Sequence, residues 1–207
     1  VETRVEHAIE TIENERYLLW VTPTLEGSII RWRDKTLDVE LINGYREYGI
    51  RPSTWQDWHY APLSPEGPAA EQYEVIAASD HELRIRARLK SGLEITRAMR
   101  LESGEDALHV RLEIRNDSDA PLTPEVKMHP EFYDQGGFIP EIWGRRDNVW
   151  TRIDAIRSLA DHVAHGEYLQ ADNYTGMAAH LPEHSLSVVC EFEMGDIAGL
   201  LWFYNAS

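Results

Sequence analysis

The feature that most constrains this chain is Leu83-Arg84-Ile85-Arg86-Ala87-Arg88-Leu89-Lys90, in which apolar residues and cations alternate one for one. A period of two sends successive side chains to opposite faces of an extended strand, one dry and one wet. Ser91-Gly92 supplies a turn, and Leu93, Ile95, Arg97, Met99 and Leu101 then alternate with Glu94, Thr96, Ala98 and Arg100, which closes a hairpin. Arg97 stands out as a cation in the apolar register. After the polar turn Glu102 to Asp106, the segment Leu108 to Arg115 alternates again and stops at Asn116-Asp117-Ser118-Asp119-Ala120-Pro121. Three consecutive strands of this kind make a meander.

The flanks read as further strands: Tyr17 to Val21, Ile29 to Arg33 and Leu37 to Ile42 upstream, and Glu125 to His129, Leu186 to Met194 and Ala198 to Tyr204 downstream. Between Asn43 and Gln72 the chain mixes Gly, Pro and aromatics without a period, which predicts a long ordered loop of the kind that carries function. One segment has helical spacing, with Ile153, Ile156, Leu159 or Ala160, and Val163 recurring between Trp150 and His165. The expected fold is therefore all-β, a large antiparallel β-sandwich with at most one short helix. A length of 207 residues suits a single such domain over 1–207. Both ends read as cut from a larger parent chain, since Val1 to Glu6 lack a signal-peptide layout and Leu200 to Tyr204 reads as a buried strand close to the last residue. No compartment is assigned.

Composition narrows the partners. An apolar fraction of 43% with 27% charged residues is that of an ordinary folded globule, and no apolar run reaches membrane-spanning length. A net charge of −16 repels phosphate backbones and anionic lipid surfaces, so neither nucleic acid nor a membrane is an expected partner. Cys190 is the one cysteine; within Val188-Val189-Cys190-Glu191-Phe192 it reads as a small buried hydrophobe.

Two clusters carry candidate chemistry. Trp55-Gln56-Asp57-Trp58-His59-Tyr60 follows soon after Arg51, and flat aromatic surfaces beside carboxylates, amides and guanidinium groups suit the apolar C–H faces and hydroxyl rings of sugars. The plain alternative is that Trp55 and Trp58 plug the open end of a sandwich. In Lys127-Met128-His129-Pro130-Glu131-Phe132-Tyr133-Asp134-Gln135-Gly136-Gly137 a strand ends in a His with a Glu two residues on, a tunable pair for acid–base work or a rim His satisfied by a backbone carbonyl. His180-Leu181-Pro182-Glu183-His184 matches the H-x-x-E-H zinc pattern, but Pro182 opposes the helix that pattern needs. His162 and His165 lack a third ligand. No metal or cofactor is expected, and glycine-rich phosphate loops and G-x-S-x-G turns are absent from the sequence.

From about Tyr17 to Phe132 the order of features resembles the galactose mutarotase-like family, the antiparallel supersandwich shared by aldose 1-epimerases and by sugar-binding domains of carbohydrate-active enzymes. The resemblance lies in Val21-Thr22-Pro23-Thr24-Leu25-Glu26-Gly27-Ser28-Ile29 between two opening strands, in Glu94-Ile95-Thr96-Arg97 within the meander, and in Asn116 to Pro121 leading to His129-Pro130-Glu131-Phe132. The last is similar to the family's turn followed by H-x-Y-F, whose His protonates the sugar ring oxygen; the resemblance implies that His129 is a general acid. The chain departs from the pattern in having one Gly at the early turn and Pro-Glu-Phe after His129, and the family's catalytic Glu has no assigned counterpart.

Three functions follow as expectations. The first is a carbohydrate-binding domain of a carbohydrate-active protein, holding a mono- or oligosaccharide in an aromatic and acidic cleft. Its residues are His129 and Glu131 with Arg51, Trp55, Asp57, Trp58, His59, Arg97 and Trp143. The second is an aldose 1-epimerase-type isomerase with His129 as acid. The third is a structural sandwich packing on a catalytic domain of the parent chain.

Overall fold

The computed structural model describes residues 8–43, 45–46, 49–50, 55–60, 72–89, 91–122, 125–130, 141–155, 165–170, 174–181, 185–191 and 199–204, and every regular element among them is a β-strand. The chain divides into two compact units, Val1–Tyr133 and Asp134–Ser207. In the first, β1 (Glu10–Glu13), β2 (Tyr17–Thr22), β3 (Ser28–Asp34) and β4 (Val39–Asn43) pair in chain order. The short β5 (Tyr45–Arg46) and β6 (Gly49–Ile50) pair with each other, and β7 (Trp55–Tyr60) follows. Next come β8 (Glu74–Ala78), β9 (Glu82–Arg88), β10 (Leu93–Leu101) and β11 (Leu108–Asn116), ordered β11-β10-β9-β8; β12 (Glu125–Pro130) returns to pair with β7. All of these pairings are antiparallel.

The predicted meander is present, and its alternation is what builds the first unit. Leu83, Ile85 and Ala87 on β9 and Ile95, Met99 and Leu101 on β10 are buried, while Arg84 and Arg88 between them are exposed. The other sheet contributes Ile12, Leu19, Val21, Ile30 and Trp32 to the buried set. Each buried Val, Leu, Ile or Met side chain among them stabilises the fold by about 1.5–3 kcal/mol relative to leaving it in water. Two sheets that each hide one face form a β-sandwich.

The two sheets touch where β2 turns into β3. Glu26 and Gly27 both take left-handed backbone angles (φ 56° and 61°), and Ser28 N donates to Leu25 O at 3.0 Å. A Cβ on Gly27 would lie 2.6 Å from Arg97 Nη2 and 2.8 Å from Ile85 Cδ1, so the turn backbone rests directly on the opposite sheet.

A second fastening joins the tight β1–β2 turn to the β10–β11 turn. Asn14 is buried, and its amide donates to Glu102 O (2.8 Å) and Glu105 O (3.0 Å) while its oxygen accepts from Arg16 N (3.0 Å) and Tyr17 N (2.7 Å). That uses the full capacity of the side chain. Beside it, the Glu15 carboxylate accepts from Ser103 Oγ (2.6 Å) and Gly104 N (3.1 Å). Asp34, wholly buried, accepts from Arg16 Nε (2.8 Å) and from the Thr36 and Leu37 amides (both 2.9 Å), which fixes the β3–β4 turn.

The second unit contains β13 (Glu141–Arg146), β14 (Val149–Ala155), β15 (His165–Gln170), β16 (Tyr174–Leu181), β17 (Leu186–Glu191) and β18 (Gly199–Tyr204). They form a sheet ordered β14-β13-β16-β17 and a ribbon of β15 with β18, again antiparallel. Asp147 and Asn148 join β13 to β14 with φ of 50° and 61°, the left-handed pair a two-residue hairpin needs.

Two expectations need correction. The segment Asn43 to Gln72 is not simply a loop, because β5, β6 and β7 lie within it. Consecutive aromatics are good strand formers even without alternation, and β12 supplies the missing ladder for β7. The start of the helical spacing is corrected as well, since Ile153 lies in the strand Val149–Ala155 with a register shift against Ile142/Trp143, while its other positions fall at residues 156–164, outside the described ones. Cys190 sits on β17 and is half-buried, and desolvation pushes its thiol up to about 11.

Gly27→Ala is expected to lower unfolding stability by about 2–4 kcal/mol, combining a left-handed penalty with overpacking, as a shift in the urea midpoint. A second expectation concerns pH. Hydrogen bonds from Ser103 and from the backbone hold the Glu15 carboxyl at about 2, below its ordinary 4.5. A depressed folded value adds stability above the unfolded one and loses it as pH falls through the folded one, here between 4.5 and about 2. NMR titration of Glu15 should give a midpoint near 2 that rises in Ser103→Ala.

Candidate functional site

The backbone brings the two chemistry-bearing segments onto neighbouring strands. β7 and β12 pair antiparallel with Trp55 opposite Pro130, Gln56 opposite His129, Asp57 opposite Met128, Trp58 opposite Lys127, His59 opposite Val126 and Tyr60 opposite Glu125. Residues directly opposite in an antiparallel pair share a face, and neighbours along a strand alternate. One face of the ribbon therefore carries the positions Gln56, Trp58, Tyr60, His129, Lys127 and Glu125. The positions Trp55, Asp57 and His59 fall on the other. Arg51 and Glu131 lie outside the described residues.

Arg97 occupies a different setting. It lies on β10 opposite Ile85 and Leu112, has no solvent-exposed surface, and holds its guanidinium carbon 5.7 Å from the centre of the Tyr73 ring. Tyr73 is itself buried, and its amide donates to Pro23 O at 2.9 Å. The cation seen in the apolar register is thus enclosed in the core beneath Gly27.

Trp143 belongs to the second unit and sits on β13, half-buried. Cross-strand register builds the face it shares. Trp143 stands between Arg152 on β14 and Ala178 on β16, with Val189 beyond on β17. The next row runs Trp150, Arg145, Gly176, Glu191, and the row on the other side runs Glu141, His180, Ser187. Burial separates the two sides of the sheet: Ile142, Leu186 and Val188 are buried, whereas Trp150 is 36% and Val189 48% exposed.

The polar groups on this exposed face are held in place. Arg145 donates from Nε to Thr175 Oγ1 (2.9 Å) and from Nη2 to Thr175 O (3.2 Å), and its Nη1 pairs with Glu191. Arg152 Nη1 lies 3.0 Å from Glu141 Oε1, and His180 Nδ1 lies 3.0 Å from Ser187 Oγ. His180 is on a strand, and Pro182 to His184 lie outside the described residues. Among the described residues no group of three His, Cys, Asp or Glu side chains is placed to hold a metal ion.

Trp150 and Arg145 were not singled out as site residues from the sequence. The signal was present in Glu141-Ile142-Trp143-Gly144-Arg145, where polar or aromatic residues alternate with ones that become buried, but five residues make a short period beside the helical spacing that follows.

No protein-family model and no curated protein matches the chain. Among solved structures, the crystal structure of 4-alpha-glucanotransferase from Thermococcus litoralis superimposes with a TM-score of 0.48 at 11% identity, covering 97% of this chain and 37% of that one. The chain thus spans just over a third of that enzyme's length, and a likeness at this level carries no functional argument.

Proposed function

We propose that this chain is a carbohydrate-binding β domain, with the β7–β12 ribbon as its sugar-contacting element. The observation that carries the reading is the register that sets Trp58 beside Lys127 and Gln56 beside His129. Two segments with 64 residues between them, 61–124, thereby bring positions bearing an aromatic, an amide, a cation and an imidazole to one small face. An indole offers a flat apolar surface to sugar C–H groups, while amide, imidazole and ammonium groups exchange hydrogen bonds with hydroxyls. In this reading the domain is of the mutarotase-like kind, its two compact units are parts of one domain, and Arg97, enclosed beneath Gly27, serves the fold of the first unit instead of touching ligand.

Titrating the full chain with neutral mono- and oligosaccharides, while following tryptophan fluorescence and heat, tests the proposal. Trp58→Ala is expected to weaken the affinity for a bound sugar by about tenfold or more, corresponding to about 1.4 kcal/mol. Unchanged affinity in that variant removes the ribbon as the contact surface. Optical rotation of freshly dissolved glucose and galactose, with wild type and His129→Ala, separates binding from epimerisation: acceleration by wild type alone assigns His129 the acid's role.

A further inference from the structure

We propose that the outward face of the β14-β13-β16-β17 sheet is a second binding platform, for a neutral oligosaccharide. Trp150 and Trp143 are its stacking surfaces, and Glu191 and Glu141 are its hydroxyl acceptors. This site lies within the second unit and does not depend on the β7–β12 ribbon.

The first argument is the posture of Trp150. A Cβ placed on Gly176 would lie 3.2 Å from Trp150 Cη2, although Arg145 on β13 separates the two positions in the ladder. The indole therefore reaches across its neighbouring strand instead of standing away from the sheet. Gly176 makes room for it, since a Cβ there would press on the ring tip and, at the same 3.2 Å, on Cys190 O of β17. The Arg145 guanidinium carbon lies 5.6 Å from the ring centre. With Trp150 still 36% exposed, the site offers ordered aromatic surface to solvent. A side chain already fixed in place loses little rotamer freedom when a ligand arrives.

Spacing supplies the second argument. Trp143 and Trp150 are one strand and two residues apart in register, so their Cα atoms lie about 8 Å apart, given a rise of about 3.4 Å per residue and about 4.8 Å between strands. Both positions thus fall within the span of one short oligosaccharide.

Charge decides the ligand class. Each arginine of the face is matched by a carboxylate, Arg145 by Glu191 and Arg152 by Glu141, so the four groups carry no net charge. An anionic polymer requires cations to spare. Oriented acceptors and donors between aromatic surfaces instead suit uncharged hydroxyls, with His180 and Ser187 extending the polar row. The pairing also prevents Arg145 from collapsing onto a ligand, because Thr175 and Glu191 hold three of its nitrogens.

The test is calorimetric titration of the full chain with hexasaccharides of α-1,4-glucan, β-1,4-glucan, β-1,4-mannan, β-1,4-xylan and, as the anionic member, α-1,4-galacturonan. At least one neutral hexasaccharide is expected to bind, with Trp150→Ala weakening it about tenfold or more when made in the Trp58→Ala background, where the ribbon no longer contributes. No binding of any neutral member at millimolar concentration overturns the platform. So does binding confined to the galacturonan, or loss in Trp58→Ala with none in Trp150→Ala, which assigns the sugar to the ribbon. If Trp150→Ala lowers the thermal midpoint, Glu191→Gln replaces it, keeping the shape and removing the charge: weakened binding supports the platform and unchanged binding overturns it.

Discussion

The first unit depends on how closely its two sheets meet at Gly27. That contact is unusual because the opposing group is a guanidinium with no exposed surface. A buried cation costs several kcal/mol of lost hydration unless the protein supplies partners, and the Tyr73 ring face is one such partner. Tyr73 is in turn tethered to Pro23 in the same turn that bears Gly27. Turn, ring and cation form a closed set in which each fixes the position of the next. The Asn14 amide, bonded into the β10–β11 turn, fastens the same two sheets at a second point, so their relative rotation is defined at two places.

Where the sequence had a strong period, it was legible. Leu83 to Arg115 reads as a meander because one face must be dry, and the register found, Ile95 between Ala87 and Ile114, keeps the apolar set together. The opening strands were readable for the same reason. β7 was hidden because the pairing that makes it a strand is with β12, remote in sequence, and its run of aromatics carries no alternation. Ile153 stands on β14 where a register shift interrupts the two-residue period, and the other positions of its helical spacing lie outside the described residues. Periodicity reports burial along one segment and is silent on which distant strand completes a ladder.

The candidate site shows the same division. That Trp58 and His129 belong together was suggested by residue type, but the face each occupies follows only from register, which separates Asp57 and His59 from them. Arg97 was conspicuous for its position in an apolar row, and the explanation lies in packing, where it fills the space beneath Gly27. Trp143 pointed to a surface whose other members became visible only through β14 and β17, and whose neutrality depends on the particular partners Arg145 and Arg152 find.

Cys190 gives the second unit a chemical clock. With its thiol pushed up to about 11 by desolvation, very little of it is thiolate near neutral pH, and thiolate is the species that attacks disulfides and alkylating reagents. Reaction in the folded chain is therefore slow, whereas an opened β16–β17 hairpin returns the sulfur to water and to its ordinary reactivity. Because the sequence holds no other cysteine, the rate of thiol modification reports on this one position of β17 without any label having to be introduced.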